Sequence, residues 1–249
     1  MMVKTYRYCR IDRRGCVHCG CGDFRQRRVI DDSLAAAWEL SDRERRWLDQ
    51  REGNCCRNCG MSRRVRMLLW TIRRRCPPGP ELRILHLNQT NALAPALERL
   101  GSVTETVHRP DRPLGSRIDG RNNQDMSRLT FEDNSFDLAV HSETLEHLLE
   151  YNRALDEVRR VLKPGGIQVY TIPLLFSRVT RQRMSPDASG RLVSRLPPSF
   201  HGCDCEFPVV WEFGGDYFRR RGRRIREIHF DNYWGNRTVF ALIEGKEGD

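Results

Sequence analysis

One stretch, Leu129–Pro173, constrains the chain more than any other: LTFEDNSFDLAVHSETLEHLLEYNRALDEVRRVLKPGGIQVYTIP. Phe136–Val140 is a brief apolar run bounded by the turn chemistry of Glu132, Asp133 and Asn134, which predicts a buried strand. In Asn152–Leu162 the residues Leu155, Val158, Val161 and Leu162 recur at helical spacing, with Asp156, Glu157, Arg159 and Arg160 facing away. Lys163-Pro164-Gly165-Gly166 stops that helix, because proline cannot continue it and glycine tolerates the turn. Ile167–Ile172 then reads as a second buried strand. A strand–helix–strand unit of this length makes a right-handed parallel crossover, so the fold class is α/β with a mostly parallel sheet.

The remaining strands follow from the same patterns. Leu82–Leu87 is a first buried strand, followed by the polar turn Asn88-Gln89-Thr90-Asn91 and a helix through Leu100. Ser102–Val107 fits a second strand. Val209–Arg221 reads as strand to helix, and Ile225–Tyr233 with Thr238–Glu244 as a closing antiparallel hairpin. Leu174–Val210 is a long insert rich in proline and glycine, of the kind used as a lid or substrate loop. Cys76-Pro77-Pro78-Gly79-Pro80 cannot be helix and marks a linker, so residues 1–78 are expected to form one module and residues 79–249 another.

Seven of the ten cysteines precede residue 60. Cys16-x-x-Cys19-Gly and Cys56-x-x-Cys59-Gly are two knuckles. Two thiolates two residues apart grip one Zn²⁺, the glycine frees backbone N–H groups to turn towards sulfur, and four sulfurs close a tetrahedral structural site. Cys9, Cys21, Cys55 and His18 compete for the same metal. The segment between the knuckles carries a helix over Ser33–Leu40 and a capping box, Ser41-Asp42-Arg43-Glu44, that opens a second one. After the second knuckle, Met67, Leu68, Leu69 and Ile72 predict a helix that docks on the following module. Cys203-x-Cys205 reads as two unliganded thiols.

A length of 249 residues is enough for a full core and a small appendage. No apolar run is long enough to span a bilayer, and Met1–Arg10 lacks the apolar core of a signal peptide, so a cytoplasmic protein without membrane partners is expected. The net charge of +10 comes mostly from arginine clusters such as Arg25–Arg28, Arg63–Arg66 and Arg219–Arg224. They serve either as a grip on a polyanion such as RNA or as solvated helix faces, and no aromatic RNA-binding motif accompanies them.

The segment "LTFEDNSFDLAV…LEHLLEYNRALDEVRRVLKPGGIQVYTIP" resembles the core of the class I S-adenosylmethionine (SAM)-dependent methyltransferases, in their type 11 branch. CRNCGMSRRVRMLLWTI is similar to a CxxCGS-x-x-R-x-R segment that precedes some members of that branch. The resemblance implies a Rossmann-like sheet with SAM as cofactor. It places Asn88, Gln89 and Thr90 at the turn for the methionine end, although the G-x-G-x-G of most members is missing and LHLNQTNAL is closer to the LH-x-x-x-E of a subset. A polar turn at a helix N-terminus still offers N–H donors to a carboxylate. Glu105, near the end of the second strand, would accept the ribose hydroxyls. Asp125 would accept the adenine amino group while Met126 packs on the ring. His141, Ser142 and Glu143 fall at the carboxyl edge of the sheet, where open α/β sheets bind ligands. PPSFHG echoes a PEYHG segment of the subset and puts His201 on the substrate side.

Methyl transfer from a sulfonium is an in-line displacement, so alignment of nucleophile and methyl carbon contributes most, and a hydroxyl nucleophile also needs a base. His141 and His201 are the candidates; Glu143, Glu146 and His147 lie near and serve equally as caps or packing. The expected function is SAM-dependent methylation of a small-molecule or glycan-type acceptor on oxygen, beside a zinc module. The alternatives are an RNA methyltransferase gripping its substrate through the cysteine module and arginines, and a catalytically inactive methyltransferase-like scaffold.

Overall fold

The computed structural model describes residues 5–87, 92–201, 207–231 and 239–247. The N-terminal third contains β1 (Thr5–Cys9), β2 (Phe24–Gln26), α1 (Asp32–Ala37), α2 (Asp42–Gly53), β3 (Asn54–Cys56) and α3 (Arg63–Arg75). Next come β4 (Arg83–His86), α4 (Ala94–Glu98), β5 (Ser102–Val107), β6 (Arg117–Ile118), β7 (Arg121–Asn123), β8 (Phe136–Ser142), α5 (Tyr151–Val161) and β9 (Leu162–Thr171). The insert folds as β10 (Leu174–Leu175), β11 (Arg181–Gln182), β12 (Met184–Pro186), β13 (Leu192–Ser194), β14 (Phe200–His201) and β15 (Phe207–Pro208). The chain continues through β16 (Trp211–Gly214), α6 (Tyr217–Arg221), β17 (Ile225–Asp231) and β18 (Val239–Gly245).

Among the described residues, nine strands form one sheet in the order β1-β17-β18-β9-β8-β4-β5-β7-β6. The centre is parallel, with β9, β8, β4, β5 and β7 side by side, while β18 lies antiparallel between β9 and β17. This is the Rossmann-like arrangement with the expected closing hairpin. The sequence did not announce β1, which pairs in parallel with β17 from Thr5↔Glu227 to Cys9↔Asp231.

Alternation along the central strands splits the core into two faces. Ile84, Leu138, Val140, Val169, Ala241 and Ile243 face α3 and α4, where Met67, Leu68, Leu69, Ile72 and Leu97 are fully buried. Leu85, Ala139, Tyr170 and Leu242 face α5, which contributes Leu155 and Val158. Ser62 caps α3, its hydroxyl accepting from Val65 N, and Arg73–Arg75 meet the negative end of the helix dipole. Each large apolar side chain that α3 buries contributes roughly 1.5–3 kcal/mol before ordering costs. The predicted docking helix is therefore present, and its core is continuous with the sheet across the Cys76–Pro80 connection.

Several boundaries moved. α1 starts at Asp32, one residue before the predicted start, with Asp31 as its cap, and the capping box of Ser41 and Glu44 opens α2 as expected. The helix before Leu100 shrinks to five residues. The Lys163–Gly166 stop belongs to β9, because its backbone finds partners beyond β18: Gly165 N donates to Lys246 O and Lys246 N to Gly166 O. The long insert is a set of short paired strands rather than an open loop. It rests on the N-terminal helices, with Arg178 donating to Glu44 and to the carbonyl oxygens of Trp38 and Glu39.

Part of the arginine content is internal. Arg51, Arg63, Arg66, Arg183 and Arg221 are each no more than 4% exposed. Arg63 pairs with Asp231, Arg66 forks onto Asp12, Arg183 meets Glu212 and Arg221 forks onto Glu244. These five are not available to a polyanion.

Candidate active site and cysteine cluster

The two knuckles fold alike. Gly20 N donates to Cys16 O at 2.8 Å and Gly60 N to Cys56 O at 3.0 Å, with both glycines in the left-handed region at φ 75° and 73°. The two turns bring Cys16, Cys19, Cys56 and Cys59 together, with all four sulfurs within 4.8 Å of one another. Cys16 and Cys59 sulfurs are 3.6 Å apart, as are those of Cys19 and Cys56. A tetrahedron with Zn–S bonds of about 2.3 Å has an edge of about 3.8 Å, so the donor set fits zinc. The competing ligands are elsewhere. Cys9 is wedged beside Met67 and Phe230 O, and burial pushes its thiol up to about 12. Cys55 donates to Glu52 O, Cys21 accepts from Asp23 N, and His18 is outside the cluster.

A cavity of about 730 Å³ opens at the carboxyl ends of the central strands, within the usual range for small-molecule sites. Leu87, Thr106, Val107, Gln124, Asp125 and Met126 line one end, and Ser142, Glu143, Thr144 and His147 the other. The segment between the knuckles covers it: Val29, Ile30, Leu34, Trp38, Leu40 and Leu48 face inward, and Arg51, Glu52 and Arg64 reach the sheet edge.

At the first end Asp125 accepts from Ser127 N at 2.9 Å, Ser127 Oγ at 2.6 Å and Arg128 Nε at 3.1 Å. Burial alone would raise its carboxyl, but these donors prevail and hold it below its ordinary value. Met126 is buried and belongs to the core beneath it.

The other end joins Glu143, Glu146 and His147, which the sequence placed near the sheet edge, to Arg51, Glu52 and Arg64, which its patterns did not single out. Glu143 follows β8 with a φ of 51°, a left-handed conformation that costs a non-glycine residue about 1–2 kcal/mol. Its Oε1 accepts from Thr171 Oγ1 at 2.9 Å and from the fully buried Arg51. Arg64 donates to Glu52 Oε1 at 2.7 Å and to the Ser142 hydroxyl. Glu146 is fully buried, and burial with the adjacent Glu143 charge raises its carboxyl well above the usual range, favouring the protonated form. His147 Nδ1 lies 2.9 Å from Pro208 O. Only an N–H can serve a carbonyl, so Nδ1 carries the proton and Nε2 keeps the lone pair. Burial lowers the His147 pKa, leaving the neutral form at physiological pH.

The expected catalytic histidine is corrected. His141 is fully buried in β8, its ring stacked on Tyr170 at 4.7 Å between centroids, and it does not line the cavity. Strand alternation turns it to the α5 face, and burial pushes its pKa down to about 3. Glu105 is also outside the cavity: it sits 3.4 Å from His86 Nδ1 and lines a second, smaller space of about 270 Å³ with Glu98, Arg117 and Asn122. Asn88, Gln89 and Thr90 lie outside the described residues, as does the side chain of His201. Of the expected cofactor residues, Asp125 and Met126 share the cavity.

Residues 106–170 match the family model for a methyltransferase domain. A curated relative, the ubiquinone/menaquinone biosynthesis C-methyltransferase UbiE of Hydrogenovibrio crunogenus, is 45% identical over 53 residues, or 21% of this chain. The match spans about a fifth of that relative's length. A SAM-dependent methyltransferase structure from Methanosarcina mazei aligns at 18% identity over 72% of this chain and 98% of its own, with a TM-score of 0.43. One from Mesorhizobium loti aligns at 18% identity over 71% and 96%, with a TM-score of 0.41. The strand order and the match over its central crossover lead to one conclusion: this chain carries a methyltransferase domain, matched over residues 106–170 on a Rossmann-like sheet, joined to a cysteine module whose four sulfurs fit zinc.

Proposed function

We propose that the chain transfers a methyl group from SAM to a hydroxyl oxygen of a small-molecule acceptor. One observation carries this reading: a single cavity at the carboxyl edge of the sheet joins Asp125 and Met126 to Glu143 and His147. SAM would supply an electrophilic sulfonium methyl there, its adenine held by Asp125 as acceptor and Met126 as packing surface. Thr106 and Gln124 line the same end. At the other end His147 Nε2 takes the proton of the acceptor hydroxyl, its ring oriented by the bond from Nδ1 to Pro208 O. Protonated Glu146, 3.7 Å from Nε2, keeps that nitrogen from being fixed as imidazolium by a neighbouring carboxylate. The N-terminal helices exclude water, and the four-cysteine site, loaded with zinc, would hold them over the cavity.

Calorimetric titration with S-adenosylhomocysteine tests this reading. Wild type is expected to bind in the micromolar range, Asp125→Ala at least about tenfold more weakly, and Glu105→Ala close to wild type. A folded, zinc-loaded protein that does not bind the compound would sink the enzyme and leave the inactive scaffold.

A further inference from the structure

We infer that the acceptor is an apolar small molecule, an alkyl- or aryl-bodied compound with one reactive polar end, and that the cysteine module selects it. This deepens the methyltransferase reading and rests on it. The roof over the acceptor end is made by Val29, Ile30, Leu34, Trp38, Leu40 and Leu48. Five of these side chains carry no hydrogen-bonding atom. The sixth, Trp38, has already committed its indole N–H to Ser199 Oγ at 2.5 Å, so the residue offers the cavity only ring surface. Leu148 and Pro173 add apolar surface from the sheet edge and Phe207 from the insert.

A sugar presents hydroxyls in every direction. Under this roof those hydroxyls would leave water without gaining partners, at a cost that rises with each one. An alkyl or aryl body loses nothing there and gains from burial. The polar groups that line the cavity at the β8 edge, Arg51, Glu52, Arg64, Ser142, Glu143 and Thr144 together with His147, all come from outside the six roof residues. A ligand that fits has one polar end against that edge and a hydrocarbon body under Leu34 and Trp38. The geometry disfavours the glycan-type acceptor that the sequence left open.

Selection by the module follows from chain position. All six roof residues lie between the two cysteine knuckles, outside the segment that matches the methyltransferase domain. The domain supplies the reacting edge, and the inserted helices supply the specificity.

The test is a series of 4-alkylphenols, from 4-methylphenol to 4-octylphenol, titrated into zinc-loaded protein with and without saturating S-adenosylhomocysteine. Affinity is expected to rise about threefold to fourfold per added methylene until the chamber is full. Leu34→Asn should flatten that rise to twofold or less per methylene while leaving zinc content and S-adenosylhomocysteine affinity unchanged. Should that variant not fold, the wild-type series still decides. A flat series, or methyl glycosides binding more tightly than the phenols, overturns the inference. Loss of S-adenosylhomocysteine binding with the alkyl gradient intact would instead overturn the methyltransferase reading alone.

Discussion

Arg51, in the last turn of α2, donates from Nη2 to Glu143 Oε1 at 2.6 Å, tying the segment between the knuckles to the residue that follows β8. Arg51 is fully buried and Glu143 is half-buried at the cavity wall, so the arginine charge above all is not easily solvated once its partner is gone. Arg51→Met is expected to destabilise the protein by about 3 kcal/mol, as removing one member of a buried pair does. The double variant Arg51→Met, Glu143→Gln should recover part of that loss. Chemical denaturation of the wild type, both single variants and the double variant measures the coupling; strictly additive losses would show that the pair acts only as two separate packing residues.

The cysteine cluster predicts a stoichiometry. Purified protein should hold one zinc per chain, and Cys56→Ser should lose it and melt about 10 °C lower, because the knuckles fix both ends of the roof. Cys9→Ser and Cys55→Ser should keep the metal, since both thiols point elsewhere. Metal analysis beside thermal melts reads both. Zinc retained by Cys56→Ser would remove Cys56 from the ligand set.

His147 predicts a separation of binding from turnover. His147→Gln should lower kcat by about 10²–10⁴ with a hydroxyl acceptor while S-adenosylhomocysteine affinity stays within about twofold. Its residual rate should lose the acid limb that neutral imidazole imposes on wild type. An unchanged pH profile in the variant would assign the proton to another group.

His141 predicts acid sensitivity of the fold. Burial lowers its pKa from 6.5 to about 3, so below pH 6.5 the unfolded chain binds a proton that the folded chain refuses. Stability from this group is present above pH 6.5 and is lost progressively as pH falls from there towards 3. His141→Phe should flatten that part of the stability curve, the ring still stacking on Tyr170. Denaturation midpoints at several pH values between 7 and 4 check this, and parallel curves for wild type and variant would refute it.

The central crossover was legible because its periodicities are local. Phe136–Val140, Asn152–Leu162 and Ile167–Ile172 each state their own structure, and β8, α5 and β9 form over them. The knuckle cysteines were legible for the same reason: spacing within each pair is short, and the glycine after it has one purpose. His141 was misread because sequence places a residue on a strand but does not say which face its site occupies. Val140 faces α3, so His141 had to face α5, and that follows only once the sheet is assembled. Arg51 and Arg64 carried no local signal at all, although Glu143 and Ser142, which they meet, were placed at the sheet edge. They meet across 92 residues for Arg51–Glu143 and 78 for Arg64–Ser142, and an arginine bound for a buried pair looks in sequence like any solvated one.

The pairing of β1 with β17 has a consequence for how the chain is made. Arg7 meets Glu227 across 220 residues, and the edge that β1 extends exists only after β17 has joined β18 in the sheet. On a ribosome the first strand emerges long before its neighbour, while the knuckles are complete by residue 60 and can already capture metal. Loop closure over that length is entropically the costliest in the molecule, so β1 is the last strand to be laid down. Until then Tyr6 and Tyr8 have no Phe230 to stack on, and both rings stand on an unpaired strand.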